Sequence, residues 1–230
     1  HVTTVDDSPT GTATVVVSEE SGENFIIVNS GANAKLSMDD VDSCENMIKN
    51  SKVVVCQLEV RATVVRRAFE IARKFGVLTL FNPAPADAKI DGNLFDFVDI
   101  LCINESEAQL FTNIAPKCPQ STKNCLASLR NIANREISNV ILTAGSKGCY
   151  FTSRDGTVHH VPTSEVIPVD TTGAGDSFVG ALAFYLSSLP DLPMREKPYS
   201  KVKNSRILVA GIRRQSATVG MVDRSFTLKT

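Results

Sequence analysis

The chain has 230 residues, 43% of them hydrophobic, which suffices for one substantial core with at most a small appendage. A net charge of −1 gives no bulk attraction to nucleic acid or to an anionic membrane, and no apolar run approaches the length of a membrane span. Six cysteines (Cys44, Cys56, Cys102, Cys118, Cys125, Cys149) lie scattered without Cys-x-x-Cys spacing, several in apolar runs, so reduced cysteines of an intracellular protein are expected rather than a disulfide framework or a zinc site.

Thr10–Ser18 and Glu23–Asn29 are short runs rich in β-formers, separated by the turn signal Glu19-Glu20-Ser21-Gly22. They read as a hairpin, which needs a partner surface to be stable. Ser37-Met38-Asp39-Asp40 resembles a capping box and predicts a helix to about Asn50. Lys52–Leu58 follows as a buried strand ending at Glu59. A carboxylate there is ordinarily a solvated strand end, but strand ends are also where open α/β sheets bind ligands.

Ala62–Lys74 places Val64, Val65, Ala68, Ile71 and Ala72 on one helical face, and Gly76 ends it. Val77–Phe81 is the next strand, and the prolines of Asn82-Pro83-Ala84-Pro85-Ala86 turn the chain out of the sheet. Phe97–Ile103 predicts a strand and Asn104-Glu105-Ser106-Glu107 opens a helix to about Thr112, its acidic residues suited to the positive end of the helix dipole. Lys117–Ser121 reads as a loop and Cys125–Ala133 as a helix. Asn139–Thr143 is a strand that runs into the glycine-rich turn Thr143-Ala144-Gly145-Ser146-Lys147-Gly148. Cys149–Thr152 and Val158–Val161 form a second hairpin, with His159 and His160 at a strand edge; with His1 they offer no metal-ligand spacing. This alternation of strands and helices predicts an α/β fold, a three-layer αβα sandwich around a mainly parallel sheet.

The most informative stretch is Asp170-Thr171-Thr172-Gly173-Ala174-Gly175-Asp176-Ser177-Phe178, followed by an apolar run of helix formers to Leu186. Gly173 and Gly175 permit a tight turn with uncovered N–H groups, and the start of the helix adds unpartnered amides at its positive end. Together these suit a phosphate. A carboxylate at Asp176 would repel that anion. It suits a different role, accepting the proton of a hydroxyl that attacks phosphorus. The plain alternative is a capped core helix with an acidic first turn. The chain contains no Walker-type Gly-Lys-Ser/Thr.

The whole string closely resembles the C-terminal signature of the ribokinase-like (pfkB) carbohydrate kinases. The resemblance extends from about residue 10 to residue 190 and includes Gln57-Leu58-Glu59, the Asn-Pro-Ala-Pro-Ala at residues 82–86, the Asn-x-x-Glu of Asn104 and Glu107, and the Thr-x-Gly-x-x-Gly of residues 143–148. It implies ATP-dependent phosphorylation of D-ribose at its 5-hydroxyl, by a kinase of the cytoplasm or the nucleus. Asp176 would be the general base, and the amides of Gly173, Ala174 and Gly175 the anion hole. Glu59 would contact the sugar. Asn104, Thr143, Ala144, Gly145, Ser146, Lys147, Gly148, Gly175 and Asn204 would lie around the nucleotide. Glu107 would organise Mg²⁺ through water, and Asp170 and Thr172 would hold an activating K⁺; for Thr172 the local alternative is a helix cap. Residues 1–33 would be part of a β lid over the sugar that also forms a homodimer contact, and residues 34–230 the α/β domain.

Two departures accompany the resemblance. The family's Asn-x-Asp strand and its Gly-Gly-Lys-Gly-x-Asn helix start do not occur, and Arg213–Gly220 lacks the family's usual glycine and serine order. A truncated chain lacking its N-terminal strand and helix is therefore expected, with K⁺ and adenine binding altered. Two other functions fit the same residues: another sugar or nucleoside kinase on this scaffold, or an inactive fragment that keeps only nucleotide or dimer contacts.

Overall fold

The computed structural model of the chain describes residues 2–17, 24–134, 137, 139–163, 171 and 173–188. Two antiparallel strands, β1 (Thr12–Val17) and β2 (Asn24–Asn29), form a separate ribbon with Val15 opposite Ile26 and Thr14 opposite Ile27. Six further strands make one sheet: β3 (Val53–Cys56), β4 (Leu78–Phe81), β5 (Ile100–Asn104), β6 (Asn139–Thr143), β7 (Cys149–Thr152) and β8 (Val158–Val161). They lie in that spatial order. The first four are mutually parallel, and β7 and β8 are added antiparallel at one end.

Side chains alternate across a strand, so each central strand feeds two cores. Phe81, Leu101, Ile103, Val140 and Leu142 pack with Val65 and Phe69 and with Cys125, Leu126 and Leu129 on one face. Their neighbours Leu80, Ile100, Cys102 and Ile141 pack on the other face with Phe178, Val179, Leu182 and Leu186. The first face is covered by α3 (Ala62–Lys74) and α5 (Pro119–Arg130), the second by α6 (Ala174–Ser188). This is the expected three-layer α/β fold.

Several local differences from the sequence expectation have physical causes. The helix expected from Met38 to Asn50 is two short helices, α1 (Met38–Ser43) and α2 (Glu45–Lys49), meeting at Cys44. Ser43 Oγ donates to the Asp40 carbonyl at 2.7 Å, a side-chain bond that competes with helix continuation. The predicted capping box is present, with Ser37 and Asp40 each accepting from the other's N–H. Phe97 belongs to a 3-10 turn (Gly92–Phe97), so β5 begins at Ile100. Helix α5 starts six residues before the expected Cys125, because Pro119 occupies its first turn, where a missing N–H costs nothing. By contrast α3 has its expected bounds.

Burial pushes the Cys56 and Cys149 thiols up to about 12 and raises Cys102 further. These three cysteines are core side chains without thiolate character. All six cysteines are free. No helix among the described residues is long and apolar enough to cross a membrane.

Candidate active site

The carboxyl ends of the four parallel strands form one edge of the sheet, and nearly every described candidate residue lies along it. Gln57, Leu58 and Glu59 follow β3, Asn82 follows β4, Asn104 ends β5, and Thr143 ends β6 with Ala144 to Gly148 after it. Parallel strands with helical crossovers bring their C-terminal ends together, which is why motifs scattered over 90 residues of sequence meet here.

Helix α6 enters through Gly173, whose φ of +71° is a left-handed conformation that a β-carbon would strain. Among the described residues its N-terminal turn is open: a β-carbon built at Gly173 or at Gly175 would meet nothing within 4 Å there. The Ser177 N–H donates to the Gly173 carbonyl at 2.9 Å, closing the first turn. The Ala174 N–H donates to the Thr171 carbonyl at 3.2 Å, so this one of the three expected anion-hole amides already has a partner. Asp176 is exposed in the same turn and faces the end of β3, where Gln57 Nε2 donates to its Oδ1 at 2.8 Å. Glu59 is exposed two residues beyond Gln57.

On the neighbouring strands, Asn104 caps α4 (Glu105–Thr112). Its Oδ1 accepts from the Glu107 N–H at 2.8 Å, and Glu107 Oε2 accepts from the Asn104 N–H at 3.0 Å. Glu107 is half-buried, and that burial raises its carboxyl despite the hydrogen bonding it receives from Asn104. A single carboxylate at this position suits a hydrated Mg²⁺ approached through water rather than a cage of direct ligands. No cluster of three or more metal-ligating side chains occurs among the described residues.

The turn after β6 is held on both sides. Lys147 Nζ lies 3.2 Å from Glu105 Oε1, tying the turn to the start of α4. The Lys147 carbonyl accepts from His160 Nε2 at 2.7 Å, so that ring nitrogen carries a proton, and the His160 ring stacks on Tyr150 at 4.4 Å. Gly148 has φ +88°, and a β-carbon there would collide with the Val161 carbonyl oxygen. The glycine is thus required by the close approach of β8. Gly145 and Ser146 remain exposed at the tip.

Three expected site residues, Asp170, Thr172 and Asn204, lie outside the described residues. Sequence reasoning attached no role to Gln57, Glu105 or His160. The available signal for Gln57 was its position, a polar side chain closing an apolar parallel strand.

Residues 1–197 match the pfkB family of carbohydrate kinases. The chain is 42% identical over 191 residues to the ribokinase of Mus musculus, covering 83% of this chain and 58% of that protein. It is 37% identical over 185 residues to the ribokinase of Staphylococcus aureus (strain COL), covering 80% and 59%. The chain thus spans about three-fifths of the length of these curated relatives. Among solved structures, the ribokinase from Giardia lamblia superposes with a TM-score of 0.79 at 26% identity, covering 96% of this chain and 69% of that one. The Arabidopsis thaliana ribokinase complexed with ribose and ATP superposes at 0.75 with 24% identity, covering 94% and 65%, a likeness of fold. By motif, sheet order and similarity along most of its length, this chain belongs to the pfkB family of carbohydrate kinases.

Proposed function

We propose that this chain belongs to an ATP-dependent sugar kinase that phosphorylates D-ribose at its 5-hydroxyl. The observation that carries this reading is the exposed Asp176 carboxylate, set in the first turn of α6 beside Gly173 and Gly175, where a β-carbon would meet no atom of the described residues within 4 Å. The mouse and staphylococcal relatives are both ribokinases, and the Arabidopsis ribokinase structure contains ribose and ATP.

In this mechanism Asp176 accepts the proton of the 5-hydroxyl as its oxygen forms a bond to the γ-phosphorus of ATP. The bond from that phosphorus to the β–γ bridging oxygen breaks, and ADP leaves. The Gly173–Gly175 turn contributes the positive end of the α6 dipole to the transferring group, with the Ala174 amide already engaged by the Thr171 carbonyl; positioning and electrostatics supply most of the catalysis. Glu59 holds sugar hydroxyls. Asn104 and the Thr143–Gly148 turn border the nucleotide. Bound Mg²⁺ would neutralise phosphate charge, with Glu107 as the carboxylate that orders its water shell.

The ribbon of β1 and β2 serves as a lid and as a contact with a second copy of the chain. Directly paired residues share a face, so Val15, Ile26 and Val28 lie on one side and Val16 and Ile27 on the other. Val16, Ile27 and Val28 are 51%, 56% and 51% exposed. An isolated two-stranded ribbon that is apolar on both sides needs cover on both: substrate cleft on one, a partner ribbon on the other.

The deciding experiment is ADP release in the presence of MgATP with ribose, fructose or adenosine as acceptor. Ribose should be the preferred acceptor. Faster turnover of fructose or adenosine would reassign the substrate within the family. A second reading, an inactive chain that keeps nucleotide contacts, is favoured by the Ala174 amide, which the Thr171 carbonyl already engages at 3.2 Å. It predicts ATP binding with no ADP release on any acceptor.

A further inference from the structure

We propose that Gln57 is the positioning residue for the Asp176 carboxylate; the inference rests on the sugar-kinase reading above and deepens it. Gln57 and Asp176 are 119 positions apart in sequence, yet Nε2 of one donates to Oδ1 of the other at 2.8 Å. A carboxylate on an exposed helix turn is otherwise free to rotate, and only some of its orientations aim a lone pair at an acceptor hydroxyl. With Oδ1 held by Gln57, the carboxylate presents Oδ2. Only the nitrogen end of the amide can donate, so the orientation of the Gln57 side chain is fixed by its partner.

The chemistry of the donor matters. A lysine or arginine in the same place would pair with the base and hold its negative charge in an ion pair. A neutral amide orients the carboxylate without placing a positive charge beside it.

The main chain on both sides of Gln57 is anchored, which is what allows the residue to position another. The Leu58 N–H donates to the Ala84 carbonyl at 2.9 Å, and the Asn82 N–H donates to the Cys56 carbonyl at 3.0 Å. Asn82 is itself buried and its Nδ2 donates to the Cys102 carbonyl at 3.0 Å. The ends of β3, β4 and β5 are thereby laced together directly beneath Gln57. The Asn-Pro-Ala-Pro segment acquires a function from this, because it braces the residue that aims the base.

The test compares Gln57→Met, which keeps the volume and removes the donor, with the parent and with Asp176→Asn and the double variant. A misaimed base loses about tenfold to a hundredfold in rate. Gln57→Met should lower kcat by that factor, leave KM for MgATP within twofold, and leave the unfolding midpoint unchanged. In the Asp176→Asn background the same change should cost nothing more, because the group it aims is gone. Unchanged kcat in Gln57→Met, or an equal loss in both backgrounds, overturns the proposal. The contact also has a readout independent of turnover: the Gln57 side-chain amide resonance should move in Asp176→Asn, and an unmoved resonance again overturns it. Failure of the kinase reading looks different, since Asp176→Asn would then retain the parent's ADP release while the resonance still moved; the positioning of a base would fall with that result.

Discussion

Asn104 and Glu107 hold each other's main chain: each side chain accepts a hydrogen bond from the other's N–H, at 2.8 and 3.0 Å. The pair is at once the cap of α4 and the Asn-x-x-Glu that borders the proposed nucleotide site, so the structural and functional readings of the motif are not alternatives. The two roles separate by substitution. Glu107→Gln keeps an acceptor for the Asn104 N–H, while Glu107→Ala removes it and should cost about 1 kcal/mol, the usual value of a helix cap. If Glu107 orders the Mg²⁺ water shell, both variants should need about ten- to a hundredfold more Mg²⁺ for half-maximal rate, as outer-sphere changes commonly do. A Mg²⁺ titration unchanged in Glu107→Gln would confine the residue to capping.

The same residue gives a pH dependence. Burial raises the Glu107 carboxyl in the folded chain, so the folded state binds its proton more tightly than the unfolded state. The associated stability is fully present below the ordinary glutamate value of about 4.3 and is lost as pH rises through the raised value. Glu107→Gln cannot ionise and lacks this dependence. Urea unfolding of parent and variant should therefore show the variant gaining relative stability as pH rises across that window. A difference that is flat with pH would contradict the assignment.

Replacing Asp176 by Asn keeps its shape and removes its basicity. The expected loss in ribose-dependent ADP release is about 10²- to 10⁴-fold, the range of general-base contributions. ATP binding measured by calorimetry should be retained, because the change does not alter the main chain of the α6 turn. Near-parental turnover would remove Asp176 from the chemistry.

The two glycines of the turn after β6 should respond differently. Gly148→Ala forces a β-carbon into the Val161 carbonyl at a φ of +88°, so either β8 or the turn must move. A loss of about 2 kcal/mol or more is expected, a fall in unfolding temperature of about 4–8 °C for a chain of this size. Gly145→Ala meets no atom within 4 Å and has only its φ of +53° to accommodate. It should cost about 1 kcal/mol. Thermal unfolding distinguishes them, and equal losses would show that the Val161 contact does not constrain the turn.

A charge on the ribbon tests the dimer. Ile27→Asp places a carboxylate on one apolar face of the β1–β2 pair and should weaken self-association by about a hundredfold or more, given the cost of desolvating an unpaired charge. Sedimentation equilibrium over micromolar concentrations reads this directly. A parent protein that stays monomeric, or a variant that associates as tightly as its parent, would rule out this contact.

Much of this was readable in the sequence, and what was not follows a pattern. The bounds of α3 were legible because Val64, Val65, Ala68, Ile71 and Ala72 repeat at helical spacing and Gly76 stops the helix. The sheet was legible because apolar runs alternated with such helices. The start of α5 was missed because Pro119 reads locally as a loop residue, and its tolerance in a first turn depends on the helix that follows. Motifs placed the candidate residues along the chain, but their relations across it were hidden. Nothing local to Gln57 indicates that its partner lies 119 residues away, or that His160 donates to the carbonyl of Lys147. Such contacts are set by the folding of the chain onto one sheet edge.

The sheet order also acts as a gauge. From β3, which carries the proposed sugar-side residues, to β6, which carries the nucleotide turn, there are three interstrand steps, together about 14 Å at ordinary strand spacing. That interval is fixed by main-chain pairing and no side-chain replacement can lengthen it. On the proposed reading, acceptor preference can therefore drift through the loop after β3 while the turn after β6 stays at the same remove, which would let one scaffold serve different alcohols without rebuilding the proposed ATP site.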